Sequence, residues 1–325
     1  MDITTFKSRR FWVPGLLLLA SAALATLPLW VGSYWVVRLT AILMYILLTV
    51  SWALFSGPSG YMSLATAAFY GVGIYTSAIL LPSTGALLPL PLVIVIAGLA
   101  SFSLGLLVGA LTLRLRGIYF AVFTFGLVLL IQRFLVWWEM TVTHTRGRII
   151  IVVDDTIIYY VMLGIFVVAL LTAYFIRRSR SGLALQSIGE NEEAAAHMGV
   201  NVTLVKVITF AITAVFMGAA GAIMAPKLIY IDPYIAFNPL ISFIPVLMAI
   251  FGGLGQFYGP IIGAAIFAYL QEELQASRFA DYYMLIFGGI LVVAIAFMPN
   301  GLVGLIQRLV QKWRKGGSAE QHANT

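Results

Sequence analysis

The chain has 325 residues, 62% of them hydrophobic and only 10% charged, with 19 Lys and Arg against 12 Asp and Glu for a net charge of +7. A soluble domain carries about a quarter charged residues, so this chain cannot clothe itself in a water-facing surface, and its mean hydropathy of +1.01 marks a polytopic membrane protein. The positive balance requires no nucleic acid, because Lys- and Arg-rich cytoplasmic loops beside anionic lipid account for it; the lack of cysteine excludes disulfides, thiolate metal sites and cysteine nucleophiles.

Lys7, Arg9 and Arg10 precede an apolar run over 11–31. The small-residue stretches 20–22 and 23–25 have the form of a signal-peptidase site, which leaves a cleaved leader open. The run continues past them and reaches the roughly 20 residues that a span needs, so it reads as a retained first span. Further apolar runs cover 36–55, 61–81, 91–113, 117–138, 157–176, 206–225, 239–252, 260–274 and 283–298. The expected fold is an all-α transmembrane bundle of about ten spans with both termini cytoplasmic. It forms one membrane domain over 1–325, with its core at 12–305 and a basic, disordered tail over 306–325. The runs 239–252 and 260–274 are short for a span, which allows a tilt, a break or a re-entrant path. With this topology thirteen of the 19 Lys and Arg residues fall inside, and Arg38, Arg133, Arg146, Arg148, Lys227 and Arg278 fall at or near the outer ends. Trp137 and Trp138 place an interfacial aromatic belt before the outer segment 139–156.

Two glycine-rich hairpins interrupt the apolar text. The first is FSGPSGYMSL at 55–64 and the second FGGLGQFYGP at 251–260. One reading is tight turns plus small residues that let helices approach closely. The other is unwound backbone offering polar groups to a solute, as in the broken helices of transporters. On that second reading the pathway candidates are Gly57, Gly60, Ser63, Gly252, Gly253 and Gly255.

The longest polar interval is 177–206. Arg177, Arg178 and Arg180 follow an apolar run and mark a cytoplasmic exit. Ser187 and Glu190 have capping-box spacing. Glu190, Glu192 and Glu193 suit the positive end of a helix dipole, and Gly199 is a natural helix stop. A single helix over 188–198 follows, about 17 Å long at 1.5 Å per residue.

None of the 12 acidic residues falls near the middle of an expected span. Ion-driven carriers usually place an ionisable group there, although sodium sites made of backbone and hydroxyl oxygens stay open. No GxxxxGK[ST] phosphate loop occurs, and no nucleophile, base or metal cluster assembles. His144, His197 and His322 all lie in loops or the tail. No catalytic residue, metal or cofactor is expected on the chain itself. Driven transport would take its energy from another protein, with the 188–198 helix as the handle.

Glu193, Ala194, Ala195 and then Gly199 match the EAA---G pattern of the coupling loop in membrane subunits of bacterial ABC importers. The surrounding text at 188–225 resembles the high-affinity branched-chain amino acid permeases, in particular the longer-chain permease of the pair. The first hairpin through Tyr75, LRLRGIYFAVFTFG at 113–126, the glycines from Gly252 to Gly263, and the stretch from Pro299 to Leu302 resemble further signatures of that family in the same order. The likeness covers about 40–305. It departs in lacking the I-x-L-P ending after Gly199, in the first hairpin's wording, and in lacking a G-G-x-x-G in the outer loop at 138–156.

The resemblance implies a permease of the bacterial inner membrane for branched-chain or related apolar amino acids. It implies as partners a second homologous permease subunit, two cytoplasmic subunits that bind the ATP, and a periplasmic substrate-binding protein. Glu190, Glu193, Ala194, Ala195 and Gly199 would form the ATPase-coupling surface. A urea or short-amide permease shares the signatures, and an ion-coupled carrier or facilitator acting alone is the reading from another class.

Overall fold

A computed structural model describes residues 21–82, 85–145, 147–276, 282, 285–286, 288–289, 292 and 301–305. The principal helices are α1 (Ser33–Ser59), α2 (Thr66–Leu80), α3 (Leu90–Thr112), α4 (Ile118–Trp138) and α5 (Asp155–Arg178). They are followed by α6 (Arg180–Glu190), α7 (Glu192–His197), α8 (Val202–Met224), the single turn α9 (Pro233–Ala236), α10 (Leu240–Gly252) and α11 (Gly259–Ala276). Two short strands, β1 (Arg148–Ile149) and β2 (Tyr230–Ile231), pair antiparallel at the end of the bundle away from α6 and α7.

Six helices among the described residues are long and apolar enough to cross a bilayer, and Thr66–Leu80 is a shorter apolar helix. The chain is therefore an all-α polytopic bundle. The run at 61–81 is helical only from Thr66. The run at 239–252 joins α9 in one apolar stretch, Pro233–Gly252, of 20 residues. The run at 260–274 is the continuous helix α11 of 18 residues. About half of the first expected span, most of the last, the tail, Arg146 and Arg278 lie outside the described residues.

α1 is the hub. Its 27 residues extend about 40 Å, and it packs against α5, α8, α10 and α11. Several hydroxyls along the spans are satisfied locally. Thr40, Thr49, Thr112, Thr124 and Thr209 each donate to the carbonyl four residues before, at 2.7–2.9 Å.

Helices in lipid gain little from mutual hydrophobicity, so their association depends on close packing. The most extensive contacts are those of α8 with α3 and α2, and small residues make them. A Cβ added at Gly73 would collide with the Gly218 carbonyl, and one at Gly221 with the Tyr70 carbonyl. Ala211 seats against Gly105 in the same way.

Both glycine-rich stretches are real interruptions, each shorter than the sequence suggests. α1 runs through Gly57 and Pro58 to Ser59, and Gly60 ends it with φ 71°. Residues 60–65 are non-helical, yet Tyr61, Ser63 and Ala65 are buried. Backbone freed inside a membrane protein must be re-satisfied by neighbours. Here the Leu64 amide donates to Thr124 Oγ1 at 3.0 Å and the Ala67 amide to Ser242 Oγ at 3.1 Å, while Trp52 Nε1 donates to the Ser63 carbonyl at 2.7 Å. The second interruption follows α10 at Gly253 (φ 100°). Gly252, Gly259 and Gly263 there bring α10 and α11 into backbone contact. The two interruptions meet, because a Cβ at Gly57 would lie 3.9 Å from the Leu254 carbonyl.

Gly73→Val is expected to destabilise the detergent-solubilised protein by at least the roughly 1–3 kcal/mol of an overpacked core, read as a fall in thermal unfolding midpoint. Gly164, whose Cβ would meet nothing within 4 Å, serves as the control. Gly164→Ala should leave the midpoint unchanged or raise it, by up to the roughly 1 kcal/mol difference in helix propensity. Equal effects of the two substitutions would refute glycine-mediated packing.

Candidate functional site

The polar segment after α5 folds back on the bundle as two short helices. Ser179 breaks the helical path with extended backbone (φ −81°, ψ 169°), and its Oγ accepts from the Gly182 amide at 3.3 Å. Gly182 then fits tightly against the Ile176 carbonyl, where a Cβ would not fit. Gly182, Leu185 and Ile188 form the buried stripe of α6.

The single helix expected over 188–198 is corrected to α6 and α7, divided at Asn191. Asn191 is extended (φ −157°, ψ 108°), and its side chain accepts from the Ala194 amide at 3.0 Å, capping α7. The Ser187–Glu190 capping box does not form. Ser187 lies in the last turns of α6 and donates to the Leu183 carbonyl at 3.1 Å. Asn191 offers the better cap at the point where the chain must turn. α7 is thus only six residues, about 9 Å. Its end follows the sequence reading: Gly199 has φ 85°, with the Gly199 amide donating to Ala196 and the Val200 amide to Ala195, at 3.0 and 3.1 Å. That is a Schellman closure.

Of the expected coupling residues, Glu190, Glu193, Ala194 and Gly199 are exposed together on this segment, whereas Ala195 is buried. Glu193 pairs with Arg116 at 3.5 Å, and both side chains stay largely in solvent. Such a pair contributes little.

Glu192 behaves differently. Its Oε1 accepts from Lys206 Nζ at 2.9 Å and its Oε2 from the Tyr61 hydroxyl at 2.6 Å. Lys206 Nζ also donates to the Leu113 carbonyl at 3.0 Å and to the Tyr61 hydroxyl at 3.1 Å. The Lys206 side chain is 3% exposed, and the ammonium lies 4.5 Å from the centre of the Tyr61 ring. Burial works to raise the Glu192 carboxyl. The Lys206 and Tyr61 hydrogen bonds, with the Lys206 and Arg116 charges, outweigh it and hold the group below the ordinary carboxylate range. Removing one partner of a buried ion pair typically costs about 3–5 kcal/mol, because the other charge is left uncompensated.

Among the pathway candidates, Gly57 is half-buried beside Leu254, Gly60 is exposed, and Ser63 is buried with its Oγ accepting from the Ala65 amide at 3.3 Å. Gly252 and Gly253 are buried; a Cβ on Gly252 would strike the Gly259 backbone, and one on Gly301 would strike Gly253. Gly255 is exposed, with nothing within 4 Å of a Cβ. The two hairpins are therefore brought together, but Gly252 sits in a helix contact.

Sequence reasoning left Tyr61, Lys206 and Glu192 outside the site. The usable signal was Lys206 itself, a lone lysine opening an apolar run and 14 residues after a glutamate. At the opposite end Glu139 is also buried. It accepts from the Tyr75 hydroxyl at 3.1 Å and lies 3.9 Å from Arg148 Nε. Among the described residues no group of three or more His, Cys, Asp or Glu is placed to hold a metal.

The family model described as "Branched-chain amino acid transport system / permease component" matches residues 36–295. The high-affinity branched-chain amino acid transport system permease protein LivM of Escherichia coli is 27% identical over an alignment that covers 99% of this chain and 81% of that relative. LivM of Salmonella typhimurium is 28% identical, with 81% of this chain and 68% of the relative covered. The xylose transport system permease protein XylH of Haemophilus influenzae is 30% identical, but over only 46% of this chain and 41% of its own length. No solved structure matches.

Asn191→Ala should speed amide hydrogen exchange across residues 192–198 about fivefold, the effect of the roughly 1 kcal/mol lost with an N-cap. Ser187→Ala should leave those amides unchanged. The reverse pattern would restore the capping box and the single helix.

Proposed function

The chain belongs to the family of branched-chain amino acid transport system permeases, and from that premise we infer that it forms half of the membrane pathway of an ATP-driven importer for branched-chain or related apolar amino acids. The solute rests on one observation. Similarity to the LivM proteins extends over nearly the whole chain, whereas the xylose permease match covers less than half. In this reading the protein has no catalytic role, and two cytoplasmic subunits bind and hydrolyse the ATP. A periplasmic binding protein delivers the solute, and a second homologous permease completes the pathway. The chain lies in the bacterial inner membrane as a single domain with about ten spans and cytoplasmic termini. α6 and α7 then face the cytoplasm, in keeping with Arg177, Arg178 and Arg180 beside them.

Glu190, Glu193, Ala194 and Gly199 suit an ATPase-docking surface because they are exposed on one short, capped segment. Ala195 supports that surface from beneath. Gly57, Gly60, Ser63, Gly252, Gly253 and Gly255 flank the meeting point of the two interruptions, where Gly57 and Gly255 keep a backbone surface free of side chains. The second permease is best received by α4, since Ile118–Thr143 buries the smallest share of its length among the six candidate spans. Arg133 stands on that open face, and a cation is costly against lipid. Transport is driven only if the ATPase subunits bind the inward- and outward-open forms unequally.

Co-expression with the cognate ATP-binding subunits and permease is expected to yield a stable complex. In proteoliposomes supplied with the binding protein, it should import leucine only in the presence of hydrolysable ATP. Uptake that persists with catalytically dead ATPase subunits would overturn the ATP-driven reading. A binding protein that retains a sugar or urea and rejects leucine would overturn the solute.

A further inference from the structure

α7 touches the rest of the chain at a point where the bundle is least regular. Glu192, in its first turn, shares Lys206 and Tyr61, and Tyr61 belongs to the non-helical stretch 60–65 between α1 and α2. A second contact lies one helix earlier. The Gly189 backbone sits so close to Pro58 and Ser59 that a Cβ would collide with the Pro58 carbonyl. The α6–α7 segment thus grips α1 just before Gly60 and the interruption just after it. Gly60 itself is exposed, in left-handed backbone, with nothing within 4 Å of its Cβ position, and Met62 is 46% exposed. The interruption is soft on one side and clamped on the other.

A displacement of α7 therefore has two outcomes. Either the Glu192–Lys206–Tyr61 triangle opens, leaving a buried ammonium short of partners, or Tyr61 moves with it. The first is strongly disfavoured. The second is accommodated by the dihedral freedom of a glycine in the left-handed region and by five non-helical residues. α8 is the firmer side, because Gly218 and Gly221 lock it to α2, and the long lysine stem lets the ammonium follow a small movement. We propose that Tyr61, Glu192 and Lys206 form a strut that carries displacement of the α6–α7 segment to the helix interruption at 60–65. These are positioning residues for transport, and the proposal rests on the importer reading above.

The test uses the assembled complex in proteoliposomes and reads solute imported per ATP hydrolysed. Tyr61→Phe keeps the ring that packs on Phe55 and Phe120 and removes only the hydroxyl. It should lower the ratio about tenfold, within the range of ordinary coupling free energies, with assembly and ATP hydrolysis retained. The Glu192→Gln, Lys206→Gln double variant removes both charges without stranding one and should lower the ratio similarly. Since the chain has no cysteine, Met62→Cys provides a single thiol in this subunit. Its labelling rate should differ between nucleotide-free and ATP-bound complex, and the difference should vanish when Tyr61→Phe is added. An unchanged ratio in Tyr61→Phe, or labelling of Met62→Cys that ignores nucleotide, overturns the strut while leaving an ATP-driven importer intact. Failure of the wild-type chain to assemble with ATPase subunits, or import without ATP, overturns the importer reading itself.

Discussion

A lysine ammonium among apolar helices must find partners for three protons, and Lys206 finds them on three different elements: α7, the end of α3 and the interruption after α1. Much of the geometry at that end of the bundle follows from this requirement. The Leu113 carbonyl is free to accept because α3 has just ended there. Glu192 can reach the ammonium because Asn191 turns the chain and starts a new helix with Glu192 in its first position. Tyr61 can lend its hydroxyl because Gly60 has stopped α1 one residue earlier. A set of local stops and starts is thus joined by one charge. Around it the rings of Phe55, Phe69, Phe120 and Phe210 pack edge to face or tilted, filling the junction of α1, α2, α4 and α8.

The same demand for satisfied polar groups governs the backbone. Both interruptions are packed against protein on one side, with Gly60, Met62 and Gly255 exposed on the other. The first is paid for in hydrogen bonds by Thr124, Ser242 and Trp52, residues from three separate helices. The second is sealed by glycine contacts between α10 and α11. The helices that surround these points are held by close approach rather than by bulk, as the Gly73–Gly218 and Gly221–Tyr70 contacts show.

At the opposite end Glu139, Tyr75 and Arg148 gather beside the β1–β2 pair. Among the described residues the buried Lys, Arg and Glu therefore lie towards the two ends of the bundle, while the middles of the candidate spans carry buried hydroxyls such as Thr49, Ser51, Ser101 and Thr213.

Composition alone determined that this is a membrane protein, because 62% hydrophobic and 10% charged residues leave no alternative solvent. Local chemistry made Gly199 legible as a helix stop and marked both glycine-rich stretches as turns or unwound backbone, where Gly60 and Gly253 end helices with the positive φ that glycine adopts freely. The order of short motifs pointed to the family. What local text could not decide was any choice between two adequate local partners. The sequence reading placed the cap at Ser187 with Glu190, and the tertiary path of the chain after Ile188, which is buried against the bundle, put it at Asn191 instead. Nor could the sequence assign Lys206. In a linear chain it is one more cytoplasmic cation near the start of a span; only the folded bundle brings Tyr61, 145 residues away, and the Leu113 carbonyl, 93 residues away, to the same ammonium. Burial of a charge is a property of what surrounds it in three dimensions, and those surroundings come from distant segments.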